Sequence, residues 1–370
     1  MNNLCIFAAY MSDLDRLSGL RPSADWVKRI LQLFLFVGVG IFFIWLSLRH
    51  LSREDFRTVV EVAASVNTWR GWLILGIAAF FALLADFCRA VRGKLLLQPL
   101  QYEVRLSMMF YSVMVCFMAN LALPRLGEVL RCTFLQRYEK VPFQESLGTV
   151  ITERAVDMIC WLMMFAIAVA INTALLNNLM VDPQAGLTMR EWLETKGLSL
   201  LGNHLLLSLL LLVAVLCLLI FLTRKWWRKH PFFAKIGHFV AGMWQGFISI
   251  KDLKSPWRYW LWTLIMWVAY FLGTYSFFYA LPCLWGVPLA AGYSTLVFGT
   301  VAFMIAQGGI GAYPIIVAGV LMLYGLPYID GLAAGWVGWI LQTVVALVGG
   351  FISLVLASLS KKHDARLLVE

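Results

Sequence analysis

The stretch NLALPRLGEVLR, at residues 120–131, ends a membrane-length apolar run, yet it contains three charged side chains, a proline and a glycine. Pro124 removes a backbone hydrogen-bond donor and Gly127 relaxes the backbone, so the preceding helix is expected to stop near Asn120. A second helix is expected to restart near Leu126 and to direct its free N–H groups, and the positive end of its dipole, into the membrane. The stretch therefore predicts a broken helical element whose tip favours an anion.

The composition of the chain predicts a membrane protein. Hydrophobic residues make up 61% of the 370 residues and charged residues only 14%, whereas a soluble domain has roughly 25% charged residues. About 20 apolar residues suffice to cross a bilayer, and lipid forces such spans to be helical. The windows without Asp, Glu, Lys or Arg are 30–48, 106–124, 158–181, 197–223, 259–329 and 331–360, and a weaker candidate is 69–87. The predicted fold class is an all-α polytopic membrane protein.

The distribution of Lys and Arg selects a topology. If every apolar run crosses the membrane, these residues divide almost evenly between its two sides. If residues 106–136 instead dip in and return, and residues 289–325 do so from the opposite face, 24 of the 30 basic residues lie on one side. The positive-inside rule favours the second arrangement, with about six full transmembrane helices, two re-entrant broken elements and both termini cytoplasmic. Corresponding broken segments in two halves also indicate an inverted repeat.

The domain prediction follows from this topology. It comprises a cytoplasmic N-terminal segment at 1–29, one transmembrane domain at 30–360 and a cytoplasmic tail at 361–370. The first apolar run is too long for a cleaved signal peptide, and both Met1 and Met11 stay open as the start. Residues 224–258 combine eight basic residues with apolar side chains at helical spacing, which predicts an amphipathic segment on the cytoplasmic leaflet.

Several classes of function lack support in the sequence. The seven cysteines are scattered without a C-x-x-C pair, and the five histidines form no zinc-binding motif. A nucleotide-binding P-loop is also lacking, so no cofactor or metal is predicted. The net charge of +10 is assigned to loops that face anionic lipid rather than to binding of nucleic acid.

The charged residues of the opening stretch are the first candidates for a binding site. Arg125 stands at the predicted turn, and Glu128 and Arg131, three residues apart, share a helix face and can pair. The alternative is that both arginines extend toward the headgroups from a helix end. That alternative does not account for Glu128, because a carboxylate gains nothing from anionic headgroups.

The segment ERAVD at residues 153–157 is the second candidate. It is predicted to open the helix that runs to Val181, with Glu153 and Asp157 flanking Arg154 on nearly one face. Acidic residues in a first turn can simply complement the helix dipole. Asp157, however, lies inside the apolar span, where an ionisable group is costly unless it is paired or faces a wet cavity.

Two further segments give secondary candidates. Arg89 and Arg92 follow a predicted helix end and are expected to extend toward cytoplasmic headgroups. The late loop AQGGIGAYP, at 306–314, could bind a phosphate through backbone amides or could let helices pack closely, and close packing is commoner in membranes. The candidates in this loop are Gln307, Gly308, Gly309 and Gly311.

These motifs together resemble a known family. N-x-x-L-P-R-x-G-E-x-x-R at 120–131, E-R-x-x-D at 153–157 and GG-x-G at 308–311 are similar to the lysylphosphatidylglycerol synthase transmembrane family. Its members include the flippase half of the bacterial multiple peptide resistance factor. The resemblance implies a multi-pass protein of the bacterial inner membrane that moves a lipid between leaflets. The headgroup-binding residues that it implies are Asn120, Arg125, Glu128, Arg131, Glu153, Arg154 and Asp157.

Two functions remain open at this point. In a lipid transporter, arginines would bind the phosphate of an anionic lipid, while Glu128 and Asp157 would hold those arginines or take up protons. In an integral-membrane transferase acting on a polyprenyl phosphate or a phospholipid, either carboxylate would be the general base. The sequence favours the transporter and predicts no enzymatic activity.

The chain departs from its relatives in two respects. The aminoacyl transferase domain of the resistance factor is not found here, so a separate lipid-modifying enzyme is an expected partner. The sequence does not decide between a monomer and an oligomer. Many relatives carry an acidic residue after the glycine loop, whereas Tyr313 and Pro314 follow it here. A carboxylate in the second half is therefore not predicted.

Overall fold

The computed structural model describes Trp45 and residues 53–122, 126–177, 180–182, 187–188, 253 and 255–367. The helices in these ranges are α1 Arg53–Ala64, α2 Trp69–Leu97, α3 Leu106–Ala122, α4 Leu126–Glu139, α5 Phe143–Asn177, α6 Pro256–Phe278, α7 Leu289–Ile305, α8 Ala312–Leu323 and α9 Tyr328–Leu367. Two short strands, β1 Met180–Asp182 and β2 Leu187–Thr188, pair antiparallel. The following lie outside the described residues: the predicted N-terminal segment, the span at 30–48 apart from Trp45, the span at 197–223 and nearly all of the amphipathic segment.

Four of the described helices, α2, α5, α6 and α9, are long and apolar enough to cross a membrane. Each exposes large apolar side chains, and the following are more than half exposed: Phe80, Leu162, Leu264 and Phe351. Contiguous apolar surface of this kind is rare on soluble proteins but is what lipid requires. The prediction of a helical membrane protein is confirmed.

Helices α2 and α6 run antiparallel along each other. Arg92, near the end of α2, bonds to Tyr259 near the start of α6, whereas Ala78 lies against Gly273 farther along α6. The last residues of α2 and the first residues of α6 therefore share one end of the bundle, called here the first end. The start of α2 and the last residues of α6 lie at the opposite, second end.

Helices α3 and α4 form hairpin one, which opens at the first end. Arg105 Nε lies 2.8 Å from Glu139 Oε1 near its mouth, and the Gly127 amide donates to Asn120 Oδ1 at 2.9 Å near its tip. Helix α3 ends at Ala122 and α4 begins at Leu126. The predicted break and restart are thus confirmed.

Helices α7 and α8 form hairpin two, which opens at the second end. The hydroxyls of Ser294 and Tyr324 lie 3.1 Å apart near its mouth, and the rings of Phe303 and Tyr313 lie 5.4 Å apart near its tip. A short 3₁₀ helix, Gln307–Gly309, connects the arms. Gly308, Gly309 and Gly311 have φ values of +57°, +70° and +68°, which side chains other than glycine rarely adopt.

The tips of the two hairpins touch. Gln307 Nε2 of hairpin two donates to the backbone carbonyl of Asn120 in hairpin one at 2.7 Å. A Cβ on Gly308 would lie 3.2 Å from Leu121 Cδ2. Trp339 of α9 donates to the Gly308 carbonyl at 2.8 Å, which fixes the second tip against a spanning helix. Two elements from opposite ends therefore meet inside the bundle.

Two predicted helix boundaries were wrong. Helix α2 does not end near residue 87 but continues to Leu97, and α5 begins at Phe143 rather than near Glu153. The acidic residue in the first turn of α5 is Glu145. The dipole explanation therefore does not apply to Glu153 or Asp157, which lie well inside the helix.

Candidate functional site

Ionisable side chains from α2, α4 and α5 meet inside the bundle. Helical geometry explains the meeting, because residues three or four apart lie on one face. Arg89 and Arg92 share a face of α2, and Glu153 and Asp157 share a face of α5. The ion-pair network consists of Arg89, Arg92, Glu128, Arg131, Glu153, Arg154 and Asp157.

Asp157 holds two arginines at once. Arg89 Nη1 lies 2.6 Å from Asp157 Oδ2, and Arg92 Nη1 lies 2.7 Å from Oδ1. Arg92 also donates to the Tyr259 hydroxyl at 2.9 Å, and its guanidinium carbon lies 4.9 Å from the centre of that ring. A carboxylate shared by two cations leaves this part of the network with an excess positive charge.

Arg131 and Glu153 form the most deeply buried pair. Two parallel hydrogen bonds of 2.7 and 2.8 Å join the guanidinium to the carboxylate, and the side chains are only 2% and 1% exposed. Gly93 of α2 makes room for them, since a Cβ there would lie 2.5 Å from Arg131 Nη2 and 2.7 Å from Glu153 Oε1. This bidentate pair joins hairpin one to α5.

Glu128 and Arg154 form the open edge of the network. Arg154 Nη2 lies 3.2 Å from Glu128 Oε1, and the side chains are 37% and 23% exposed for Arg154 and Glu128. Glu128 Oε2 is buried and has no hydrogen-bond partner among the described residues. This pair is partly exposed, in contrast to the buried pair of Arg131 and Glu153.

Asn120 connects the network to the contact between the hairpins. Its Oδ1 accepts the amide of Gly127 and so caps a free donor of the first turn of α4. Its Nδ2 lies 3.5 Å from Glu128 Oε1. Its backbone carbonyl accepts the bond from Gln307, so Asn120 contacts both the second tip and Glu128.

The family model described as the lysylphosphatidylglycerol synthase TM region matches residues 30–350. The chain belongs to this family. The resemblance drawn from the motifs is thereby confirmed, and family membership indicates a lipid-related function in a membrane. No curated protein and no solved structure matches the chain closely enough to indicate common origin.

Within this family member, one interpretation of the motif residues was wrong. Glu128 and Arg131 do not pair with each other, since Arg154 pairs with Glu128 and Glu153 pairs with Arg131. The arms of hairpin one and α5 bring these more distant residues closer than the i, i+3 neighbours. Arg125, at the turn of the same motif, lies outside the described residues.

The expectation that Arg89 and Arg92 extend toward the headgroups was also wrong. Their residues are only 6% and 0% exposed, and both guanidinium groups bond to Asp157. Because α2 continues ten residues beyond the predicted end, these arginines lie inside the bundle rather than at its edge. They belong to the network as full members.

The glycine loop of hairpin two does not join the network. The Gly309 amide already donates to the Ala306 carbonyl at 2.9 Å, and the Gly308 carbonyl accepts from Trp339. The positive φ values and the contact with Leu121 favour the packing interpretation over a phosphate-binding loop. Gln307 contacts the Asn120 backbone rather than an ionised side chain of the network.

The sequence analysis missed two tyrosines and the role of a glycine. Tyr259 and Tyr270 of α6 reach α2, where Tyr270 donates to Asp86 Oδ1 at 3.1 Å. The two tyrosines are eleven residues apart, which is three helical turns and therefore one face. That spacing, opposite a helix with buried arginines, is a signal that could have identified them, whereas nothing in the sequence indicates the role of Gly93.

Proposed function

We propose that the protein moves a lipid with a phosphate-bearing or otherwise anionic headgroup between the leaflets of the bacterial inner membrane. The headgroup would pass through the polar region beside the hairpin tips while the acyl tails stay in the bilayer. The observation that carries this proposal is the accessible pair of Glu128 and Arg154 at the edge of a network that is rich in arginine.

The energetic cost of burying charged groups supports a functional role for this network. Charged groups inside a membrane protein are costly, so they are retained mainly where they pair or serve a substrate. The network contains four arginines and three carboxylates. An excess of positive charge inside an apolar bundle favours binding of an anion.

Arg154 is the residue that we propose to bind the headgroup. Among the described residues its recorded ion pair is with Glu128, through one nitrogen, so the rest of its guanidinium can form two parallel bonds to a phosphate. Arg92 and Arg131 are buried and are held by Asp157 and Glu153, so we assign them the task of positioning α2 and hairpin one. Arg125 is proposed as a second headgroup-binding residue, and this role rests on the sequence motif alone.

The hairpins support the re-entrant topology. Their arms contain 17, 14, 17 and 12 residues, which at 1.5 Å per residue gives about 18–26 Å, less than the ~30 Å hydrocarbon core. Elements that enter from opposite ends and meet at their tips are what an inverted repeat with a central site requires.

The first end is proposed to be cytoplasmic. The charge asymmetry of the sequence assigns it most of the basic residues, and the four network arginines, which are not in loops, reduce that asymmetry without reversing it. In a cysteine-free background, an impermeant reagent added to whole cells should label a cysteine at position 67 and not one at position 140. Labelling at 140 alone would reverse the orientation.

Reconstitution tests the function itself. Purified protein in liposomes should speed the movement of fluorescent phosphatidylglycerol between leaflets and should return it with unchanged mass. The unpartnered Oε2 of Glu128 favours the transferase as the alternative, since a free carboxylate oxygen could act as a general base. A change in lipid mass without movement would support that enzyme and contradict the transporter. A separate enzyme that modifies the headgroup is the partner that transport implies.

A further inference from the structure

We propose that Asp86 is a proton-binding site and that a proton and the anionic headgroup bind together, so that lipid movement carries protons. This inference rests on the proposed lipid transport. It names the proton gradient across the membrane as the energy source of that transport. Neither Asp86 nor its neighbour Tyr270 belongs to the motifs that identify the family.

The position of Asp86 suits such a site. It lies in the interior of the 29-residue helix α2, eleven residues before its last residue, and is 7% exposed. Its one recorded hydrogen bond among the described residues comes from the neutral hydroxyl of Tyr270, at 3.1 Å. Asp157, by contrast, accepts from two guanidinium groups within 2.7 Å.

The groups around Asp86 define its electrostatic environment. On α2 itself these are Cys88, two residues further along the helix, and Arg89, which is already paired with Asp157 of α5. From α6 the facing group is Tyr270, whose hydroxyl also interacts with Arg89. Helix α3 contributes no charged residue, and α9 has its charged residues only in its end turns. Among the described residues, Arg89 is therefore the one cation that faces Asp86, and it is shared with Asp157.

The carboxylates expected from the sequence to take up protons are less suitable. Glu128 is paired with Arg154 and Asp157 with two arginines, so a proton on either carboxylate would disrupt an ion pair. Among the described residues, Asp86 accepts from a neutral hydroxyl and from no guanidinium, so a proton on Asp86 disrupts no ion pair. Of these three carboxylates, Asp86 is therefore the one that can take up a proton without the loss of an ion pair.

The charge count links the proton to the lipid. Four arginines and three paired carboxylates leave one positive charge among the described residues of the network. An ionised Asp86 neutralises that charge, whereas a protonated Asp86 leaves it for a headgroup. Each ligand then raises the affinity for the other, as linkage requires. A singly charged anionic headgroup and one proton would cross together with no net charge.

Proteoliposomes that contain a pH-sensitive dye test this coupling. Movement of labelled phosphatidylglycerol by the wild type should be accompanied by proton movement, and its affinity should rise by up to about tenfold per unit decrease in pH, the limit for one linked proton. Asp86→Asn should show no proton movement and no pH dependence. Asp330→Asn, which changes a carboxylate outside the network, should behave as the wild type.

A second variant keeps the test decisive if Asp86→Asn does not fold. Tyr270→Phe removes the one recorded donor to the carboxylate, so the pH profile of lipid movement should shift to higher pH. Lipid movement by the wild type without proton movement, or a Tyr270→Phe profile identical to the wild type, would overturn the inference while leaving lipid transport intact. Absence of any lipid movement by the wild type would instead reject the transport proposal itself.

Discussion

Hairpin one and hairpin two are alike in form and different in chemistry. Each consists of two short helices that turn at a glycine-containing tip, and the tips touch through Gln307 and Asn120. Hairpin one contributes Glu128 and Arg131 to an ion-pair network. The arms of hairpin two contain no Asp, Glu, Lys or Arg.

Neutral groups hold hairpin two in place. Asn172 of α5 donates to Ser294 at 2.7 Å and accepts from Tyr324 at 2.5 Å, and Asn172 and Ser294 are fully buried. The same spanning helix therefore binds hairpin one through ions and hairpin two through amide and hydroxyl groups. The comparison teaches that the scaffold is repeated while the charge that a headgroup would require is concentrated in one half.

Asp157→Asn should produce the largest effect and should separate the two halves most clearly. It leaves Arg89 and Arg92 buried without their carboxylate, and breaking a buried pair costs about 3–5 kcal/mol. Thermal unfolding in detergent should show a large loss of stability. Asp330→Asn is the control, and equal stability of the two variants would mean that water reaches both arginines.

Gly93→Ala should have the next largest effect. The new Cβ would collide with the pair of Arg131 and Glu153, and overpacking of this kind costs about 1–3 kcal/mol. Gly76→Ala on the same helix is the matched control, because nothing lies within 4 Å of a Cβ there. Since alanine favours a helix over glycine by about 1 kcal/mol, the control should be neutral or stabilising. A stable Gly93→Ala protein would show that the buried pair can move away from α2.

The comparison of the hairpins also explains how much the sequence could predict. The breaks at Pro124 and in the glycine loop are local signals, because proline and glycine act through their own backbone, and both hairpins were predicted from them. Pairing is not local. Which carboxylate meets Arg131 depends on how α4 and α5 cross, so the neighbour Glu128 was chosen instead of Glu153. The burial of Arg89 and Arg92 was not predicted. The apolar run ends where these charged residues begin, so the helix was expected to end there, whereas α2 continues to Leu97.

Tyr324→Phe should have a moderate effect confined to hairpin two. The variant leaves the buried Asn172 Oδ1 without its hydroxyl donor, and an unsatisfied buried group of this kind costs about 1–2 kcal/mol. Tyr328→Phe, at the more exposed start of α9, should change the stability little. If lipid selectivity rather than stability changed in Tyr324→Phe, hairpin two would contact the headgroup and the proposed division between the halves would be wrong.

Arg154→Lys should have the smallest effect on stability and a clear effect on transport. The pair with Glu128 is partly exposed, and such pairs contribute less than about 1 kcal/mol to stability. Lysine keeps the charge but loses the planar fork, so the loss should fall on phosphate binding. A loss of ~1.4 kcal/mol there corresponds to about tenfold slower movement of anionic lipid, and Arg154→Ala should be slower still.

Two comparisons make this last prediction specific. Arg57→Lys, which alters the exposed pair of Arg57 and Glu61, should leave both stability and transport unchanged. Glu128→Gln should also unfold at nearly the wild-type temperature, because its partner can turn to solvent, yet it should alter transport by freeing Arg154. Equal transport rates for phosphatidylglycerol in the wild type, Arg154→Lys and Arg154→Ala would show that Arg154 merely closes the edge of the network. The grip on the headgroup would then have to come from the turn of hairpin one, where Arg125 is the arginine that the motif supplies.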